Sequence, residues 1–357
     1  MTVPRAPQAA GREPVDVPAP SSPSSADGDR DAGERVRVQR TVVFADGDGG
    51  GNPCPVVLGA DGWSADRMQR TAAAMGQETA FVLAPRAGGD ARLRYFVPRH
   101  EMEMCVHATV ASVVVLGRAG ALPSGRAQVE TPLGVLRVWW DVEGRDGWTG
   151  AARGWTGAAT VEQLRPRFGD PVADPREVLE ALGARPDDLD PAVGPVTAVS
   201  TARPKLMVPL CSEEALDALQ PDVERLWALC EQLDVTGLYP FTLQARGADV
   251  AARQFPLRVG YDEDPATGVA AGALAAYLAG RPAGRPAGRR AGAGAGAGAE
   301  AGAAGRWTWT VAQGRAMGRP SLITAEADVS GSGDVVGVRV GGGVHVVGEP
   351  EPWDADA

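Results

Sequence analysis

A chain of 357 residues has room for two domains with cores of their own. A formal net charge of -10 and a pI near 5.0 exclude the usual nucleic-acid binder, which presents a basic face. Lys205 is the only lysine, so Schiff-base chemistry has a single candidate.

The first 34 residues are rich in Pro, Ser, Ala, Asp and Gly with almost no large apolar side chains, a composition that predicts a disordered tail. From Arg35 the alternation of Val36 and Val38, followed by Thr41-Val42-Val43-Phe44, predicts a strand. A glycine-rich loop over 46–53 and a short strand over 55–58 follow. Ser64 reads as the N-cap of a helix running to Met75. Strands are expected at 80–83 and 92–96. The stretch from Glu101 to Gly117 then reads as a polar, titratable entry running straight into an apolar helix without a charge, with Cys105 and His107 in its first turn. Such a helix is buried on all sides. A hairpin over 128–142 turns at Pro132-Leu133-Gly134 and completes a first domain, 35–155.

The second domain, 156–348, is read as helices near 160–168, 174–182, 213–219 and 222–233, with strands near 195–200, 205–210, 236–243 and 250–255. A second apolar helix follows the acids Asp262-Glu263-Asp264, and Ala266-Thr267 at its start matches Ala108-Thr109 at the start of the first. Residues 280–305, rich in Gly, Ala, Arg and Pro, predict a flexible surface insert. Strands at 307–311, 321–325, 335–340 and 343–347 precede a tail, 349–357, expected to fray. Two central helices, one per domain, would thus aim their N-termini at one shared site.

Metal chemistry has little to work with. The cysteines at 54, 105, 211 and 230 form no C-x-x-C, and there are only three histidines. No apolar leader or membrane-length stretch is visible, which predicts a soluble, cytoplasmic protein without membrane partners. The glycines over 49–51 fit no phosphate-binding spacing, although the neighbouring Asn52 is expected to reach the site.

Three groups could move protons. Glu78 stands at the edge of an apolar strand, where partial burial suits a carboxylate to proton transfer; from position alone a solvated loop carboxylate is the commoner case. His107, in the first turn of a buried helix, is either a neutral proton donor and acceptor or a satisfied structural histidine. Asp264 is a helix cap, a catalytic acid, or both. Cys105 lies where a helix dipole could activate a thiol. A two-thiol racemase would need a second cysteine at the start of the other helix, where Asp264-Pro265-Ala266 stands instead, so Cys105 reads as a buried structural thiol.

These stretches, in this order, resemble the PhzF-like (phenazine biosynthesis) family, relatives of diaminopimelate epimerase. The matching residues are Gly51-Asn52-Pro53, Glu78-Thr79-Ala80-Phe81-Val82, Arg94-Tyr95-Phe96-Val97-Pro98 with Glu101, and Cys105-Val106-His107-Ala108-Thr109. Others are Ser200-Thr201-Ala202-Arg203-Pro204-Lys205-Leu206, Asp264-Pro265-Ala266-Thr267-Gly268, and Gln313-Gly314 with Gly318-Arg319-Pro320-Ser321. The resemblance implies an α+β fold of two pseudo-symmetric domains, each a β-barrel-like sheet wrapped around a central helix, with the site between them.

It also implies an isomerase without metal or cofactor that moves a proton between carbons of a small carboxylated substrate, in secondary metabolism and often as a homodimer. Epimerisation of a small acid, or binding without turnover on the same fold, are the alternatives. By position Glu78 matches the family's general acid/base, and His107 and Asp264 the residues that position substrate and assist protonation. Substrate contacts are expected from Asn52, Val106, Ala108, Thr267, Gly268 and Val269, with backbone donors at both helix starts holding a carboxylate. The sequence departs from the family pattern at Val106 and Ala202, where glycine is usual, and at Val269, where serine is common. The two valines would narrow the cleft or make it more apolar. Lys205 reads as structural or surface-lying.

Overall fold

The computed structural model describes residues 36–142, 154–281, 284, 290, 291 and 304–353. The predicted tail over 1–34, most of the insert over 280–305 and the last four residues lie outside them.

Strands β1 (Arg37–Val43), β2 (Asn52–Leu58), β3 (Thr79–Leu83), β4 (Ala91–Phe96), β5 (Glu101–Met102), β6 (Arg126–Thr131), β7 (Gly134–Val142) and β8 (Gly154–Glu162) come first. Between β2 and β3 runs α1 (Ala65–Met75), which starts where Ser64 Oγ accepts from the Arg67 amide at 3.2 Å and stops at Gly76 in the left-handed region. Its buried Met68, Thr71 and Ala72 follow the spacing of one helix face. Ladders join β1 to β2, β2 to β3, β3 to β4, β4 to β6, β6 to β7 and β7 to β8. The long C-terminal strand β18 (Val335–Pro352) pairs with both β8 and β1 and closes the ring. Eight strands thus form a closed barrel, and through it passes α2 (Val106–Arg118), buried at every residue from Val106 to Gly117.

The remaining strands are β9 (Arg167–Pro171), β10 (Thr197–Ser200), β11 (Lys205–Pro209), β12 (Gly237–Thr242), β13 (Val250–Ala252), β14 (Phe255–Pro256), β15 (Arg290–Ala291), β16 (Gly305–Gln313) and β17 (Ser321–Val329). A second curved sheet runs β9–β10–β11–β12–β13–β16–β17–β18, and β8, which pairs with β18, leads along the chain into β9. It packs against α6 (Gly268–Ala279), all twelve of whose residues are buried. Helices α3 (Arg176–Leu182) and α5 (Val223–Gln232) cover another part of this sheet, sharing a cluster that includes Leu182, Val208, Leu226 and Leu238; α4 (Glu213–Asp217) is a short turn beside them. Side chains of α2 and α6 belong to one continuous hydrophobic core.

Three expectations are corrected. The helix predicted near 160–168 is instead β8, followed by an extended segment into β9. The inward positions of β8 include Gly157 and Ala159, and a Cβ on Gly157 would lie 2.7 Å from Val114 Cγ1 of α2. Side chains that small erase the apolar alternation by which a strand is read. The strands predicted at 335–340 and 343–347 are one strand, β18. The tail expected to fray from 349 continues that strand to Pro352, where it pairs with Arg37, and Trp353 packs on the cluster containing Val36, Val38 and Phe81. Among the described residues no helix is long and apolar enough to cross a membrane.

Candidate active site

The starts of α2 and α6 meet at a cleft lined by residues of both. Neither helix has a side-chain cap: Cys105 and Thr267 occupy the N-cap positions without bonding the first turn. First-turn amides and the positive ends of two helix dipoles are therefore available to an anion there. The two ends touch, since a Cβ on Gly268 would lie 2.5 Å from Val106 Cβ.

Glu78, just before β3, is held from two directions. The Tyr261 hydroxyl donates to its Oε1 at 2.7 Å, and His107 Nε2 lies 3.0 Å from its Oε2. Burial lowers the His107 pKa, although the Glu78 charge acts the other way. A neutral imidazole with its proton on Nε2 fits both neighbours, because Nδ1 is then free to accept from the Cys105 thiol at 3.3 Å. The same sulfur lies 3.5 Å from Glu78 Oε2. Burial, reinforced by the Glu78 charge, raises the Cys105 pKa well above the ordinary thiol value and keeps the group protonated. Ligand atoms of Glu78, Cys105 and His107 lie within 4.8 Å of one another, the one group among the described residues spaced to hold a metal ion. A metal there would need the thiolate, which this burial disfavours.

Asp264 occupies the opposite helix start and is 6% exposed. Its Oδ1 accepts from Asn52 Nδ2 at 2.9 Å and its Oδ2 from Thr267 Oγ1 at 2.5 Å. Burial first, and the Glu78 charge second, raise its pKa well above the usual carboxylate range; the Thr267 bond opposes them. Gln313 braces the turn: its Nε2 donates to the Asp264 carbonyl at 2.6 Å, and its Oε1 accepts from the Tyr239 hydroxyl at 2.9 Å. Glu263 points away into a two-pronged ion pair with Arg253, at 2.8 and 2.9 Å.

Of the residues singled out from sequence, Glu78, Val106, His107, Asp264, Thr267, Gly268 and Val269 line the cleft. Asn52 and Ala108 are buried and do not line it; Asn52 acts instead on Asp264 and on the Ala266 carbonyl, 3.2 Å from its Nδ2. Lys205 is corrected: it is not surface-lying but 4% exposed, and it lines the cleft. Tyr261, Gln254 and Arg203 also line it and were not singled out as site residues by sequence reading. An aromatic inside an acidic pre-helix loop, Tyr261 beside Asp262-Glu263-Asp264, was the available signal for the first.

A family model described as phenazine biosynthesis-like protein matches residues 41–348. The chain belongs to this family. It is 33% identical over 243 residues to an uncharacterized isomerase of Bacillus subtilis, covering 67% of this chain and 79% of that one. It is 34% identical over 313 residues to an uncharacterized isomerase of Deinococcus radiodurans, covering 86% and 91%. Trans-2,3-dihydro-3-hydroxyanthranilate isomerase of Pseudomonas aeruginosa is 32% identical over 222 residues, covering 62% and 72%. Among solved structures, a phenazine biosynthesis protein of the PhzF family from Bacillus anthracis superposes with a TM-score of 0.71 at 24% identity, covering 88% of this chain and 97% of that one. A probable proline racemase from Agrobacterium radiobacter shares the fold at a TM-score of 0.56 and 12% identity, covering 90% and 93%. The chain is an isomerase of the PhzF family.

Proposed function

We propose that the cleft shifts a proton between two carbons of a small carboxylated substrate, with Glu78 as the general acid/base. The observation that carries this reading is the clamped carboxylate: Oε1 fixed by Tyr261, Oε2 by His107, beside two uncapped helix starts. The substrate carboxylate would bind the first-turn amides of Val106–His107 and Gly268–Val269. Glu78 then takes the C–H proton that this carboxylate and the helix dipoles acidify, holds it, and returns it to another carbon. Neutral His107 relays or steadies that proton through its hydrogen bond. Asp264, whose surroundings favour the protonated form, is the candidate donor from the other helix.

Within the fold, the reading takes 35–155 and 156–348 as two pseudo-symmetric halves, each with its own buried helix, with β8 and β18 reaching across to complete the first barrel. In support, α2 and α6 are alike in full burial, in missing caps, and in the Ala-Thr pair at their starts.

The test is solvent-deuterium incorporation, followed by mass spectrometry, into the substrate named for the Pseudomonas relative and into a panel of small mono- and dicarboxylates. Wild type should label at least one of them, and Glu78→Gln should label it roughly 10²–10⁴-fold more slowly. Equal rates in the two proteins would remove Glu78 from the mechanism. Raised Asp264 favours one further reading, epimerisation with Asp264 facing Glu78 across the reacting carbon. It predicts inversion at a single labelled centre in place of a shifted double bond.

A further inference from the structure

Away from the Glu78 clamp, the cleft is lined by Arg203, Lys205 and Gln254. Arg203 lies in the turn between β10 and β11, and its Nη1 contacts the Met102 sulfur at 3.0 Å, a weak acceptor. Lys205 opens β11; its Nζ donates to the Thr236 carbonyl at 3.0 Å, its one hydrogen-bond partner among the described residues. Neither cation is ion-paired with a described carboxylate, although this chain pairs many of its other arginines. Gln254, between β13 and β14, is fully buried, and both ends of its side-chain amide lack a hydrogen-bond partner.

A buried amide with neither end satisfied and a buried ammonium with a single acceptor are costly arrangements, and natural proteins keep them where something else completes them. The three side chains line one cleft and bring it three kinds of donor: guanidinium, ammonium and amide N–H. That set matches an anionic group. We infer that Arg203, Lys205 and Gln254 form a second anion subsite, so that the substrate is a small acid bearing a second negatively charged group beyond the carboxylate held at the helix starts. The inference rests on the cleft being the substrate site. It separates this chain from a substrate with one carboxylate and an amine, because an ammonium beside Arg203 and Lys205 would be repelled. Burial, reinforced by Arg203, lowers the Lys205 pKa to about 7, while Asp264, Cys230 and Glu78 pull the other way; an anion bound beside it would favour the charged form.

Equilibrium binding by calorimetry tests the subsite without turnover. The probes are butyrate, glutarate and 4-phosphonobutyrate, one chain length with one or two anionic ends, measured on wild type, Glu78→Gln, Lys205→Met and Arg203→Gln. Either two-ended probe should bind wild type and Glu78→Gln about tenfold or more tighter than butyrate, since charge-assisted bonds are worth that much. The tighter of the two identifies the preferred anion. The preference should shrink to about twofold in Lys205→Met and in Arg203→Gln. Equal binding of all three probes to wild type overturns the subsite, and so does a preference that survives both substitutions. Should Lys205→Met fail to fold, Arg203→Gln decides, because Arg203 is only partly buried. Loss of deuterium labelling without loss of this preference, or the reverse, distinguishes failure of the isomerase reading from failure of the subsite.

Discussion

Asp264 shows how one side chain records the demands of the site. Two donors, Asn52 and Thr267, would ordinarily lower its pKa, yet burial and the nearby Glu78 charge outweigh them. A carboxyl whose folded pKa lies above its unfolded value stabilises the fold fully below that unfolded value, near 3.8, and loses this contribution as pH rises through the raised folded value. Wild type should therefore lose melting temperature relative to Asp264→Asn on going from pH 4 to pH 8, because the variant removes that titration. Thermal denaturation of both proteins across this range measures the difference, and a gap that stays constant with pH would sink the argument. Part of the site could be seen in the sequence because it is local: Glu78, His107 and Asp264 each sit beside a turn or helix start with a recognisable pattern. Tyr261 and Lys205 were hidden because their meaning is tertiary. Tyr261 reaches Glu78 across 183 positions of chain, and the burial of Lys205 comes from elements distant in sequence.

At the scale of elements, the site depends on how closely α2 and α6 approach end to end. Val106 adds a branched side chain at that contact, and Gly268 leaves the room for it: an added Cβ would stand 2.5 Å from both Val106 Cβ and Cγ1. Those atoms sit at the root of a stiff side chain and cannot swing away. Gly268→Ala should cost roughly 1–3 kcal/mol by overpacking. Val106→Gly removes the obstacle, so the double variant should be less destabilised than the sum of the singles by about 1 kcal/mol or more. Chemical denaturation of the four proteins gives that coupling, and simple additivity would show that the helix ends do not press on each other. Elements with strong local signals were legible in the same way: α1 announces itself by Ser64, and α2 and α6 by unbroken apolar runs. Misreading β8 as a helix has the opposite cause, since α2 passes so near that the strand's inward positions include Gly157 and Ala159.

At the scale of the molecule, the pairing pattern sets how the chain should unfold. Strand β18 belongs to everything at once: it pairs with β17 from Val335, with β8 around Val340–Val347, and with β1 to Pro352. Side chains from α2, including Val110 and Val114, and from α6, including Leu274 and Tyr277, share one core. Melting either sheet alone would strip β18 of one or two of its three partner strands and expose apolar surface of the other helix, so a half-folded chain has little to stabilise it. Two architectural halves should then unfold as one cooperative unit, unlike domains joined by a sparse linker. Differential scanning calorimetry should show a single transition whose calorimetric and van't Hoff enthalpies agree, shifted as a whole by Val344→Asp in β18. Two resolved transitions, with the substitution moving only one, would mean that the barrels are energetically separate and that the cleft is assembled by docking.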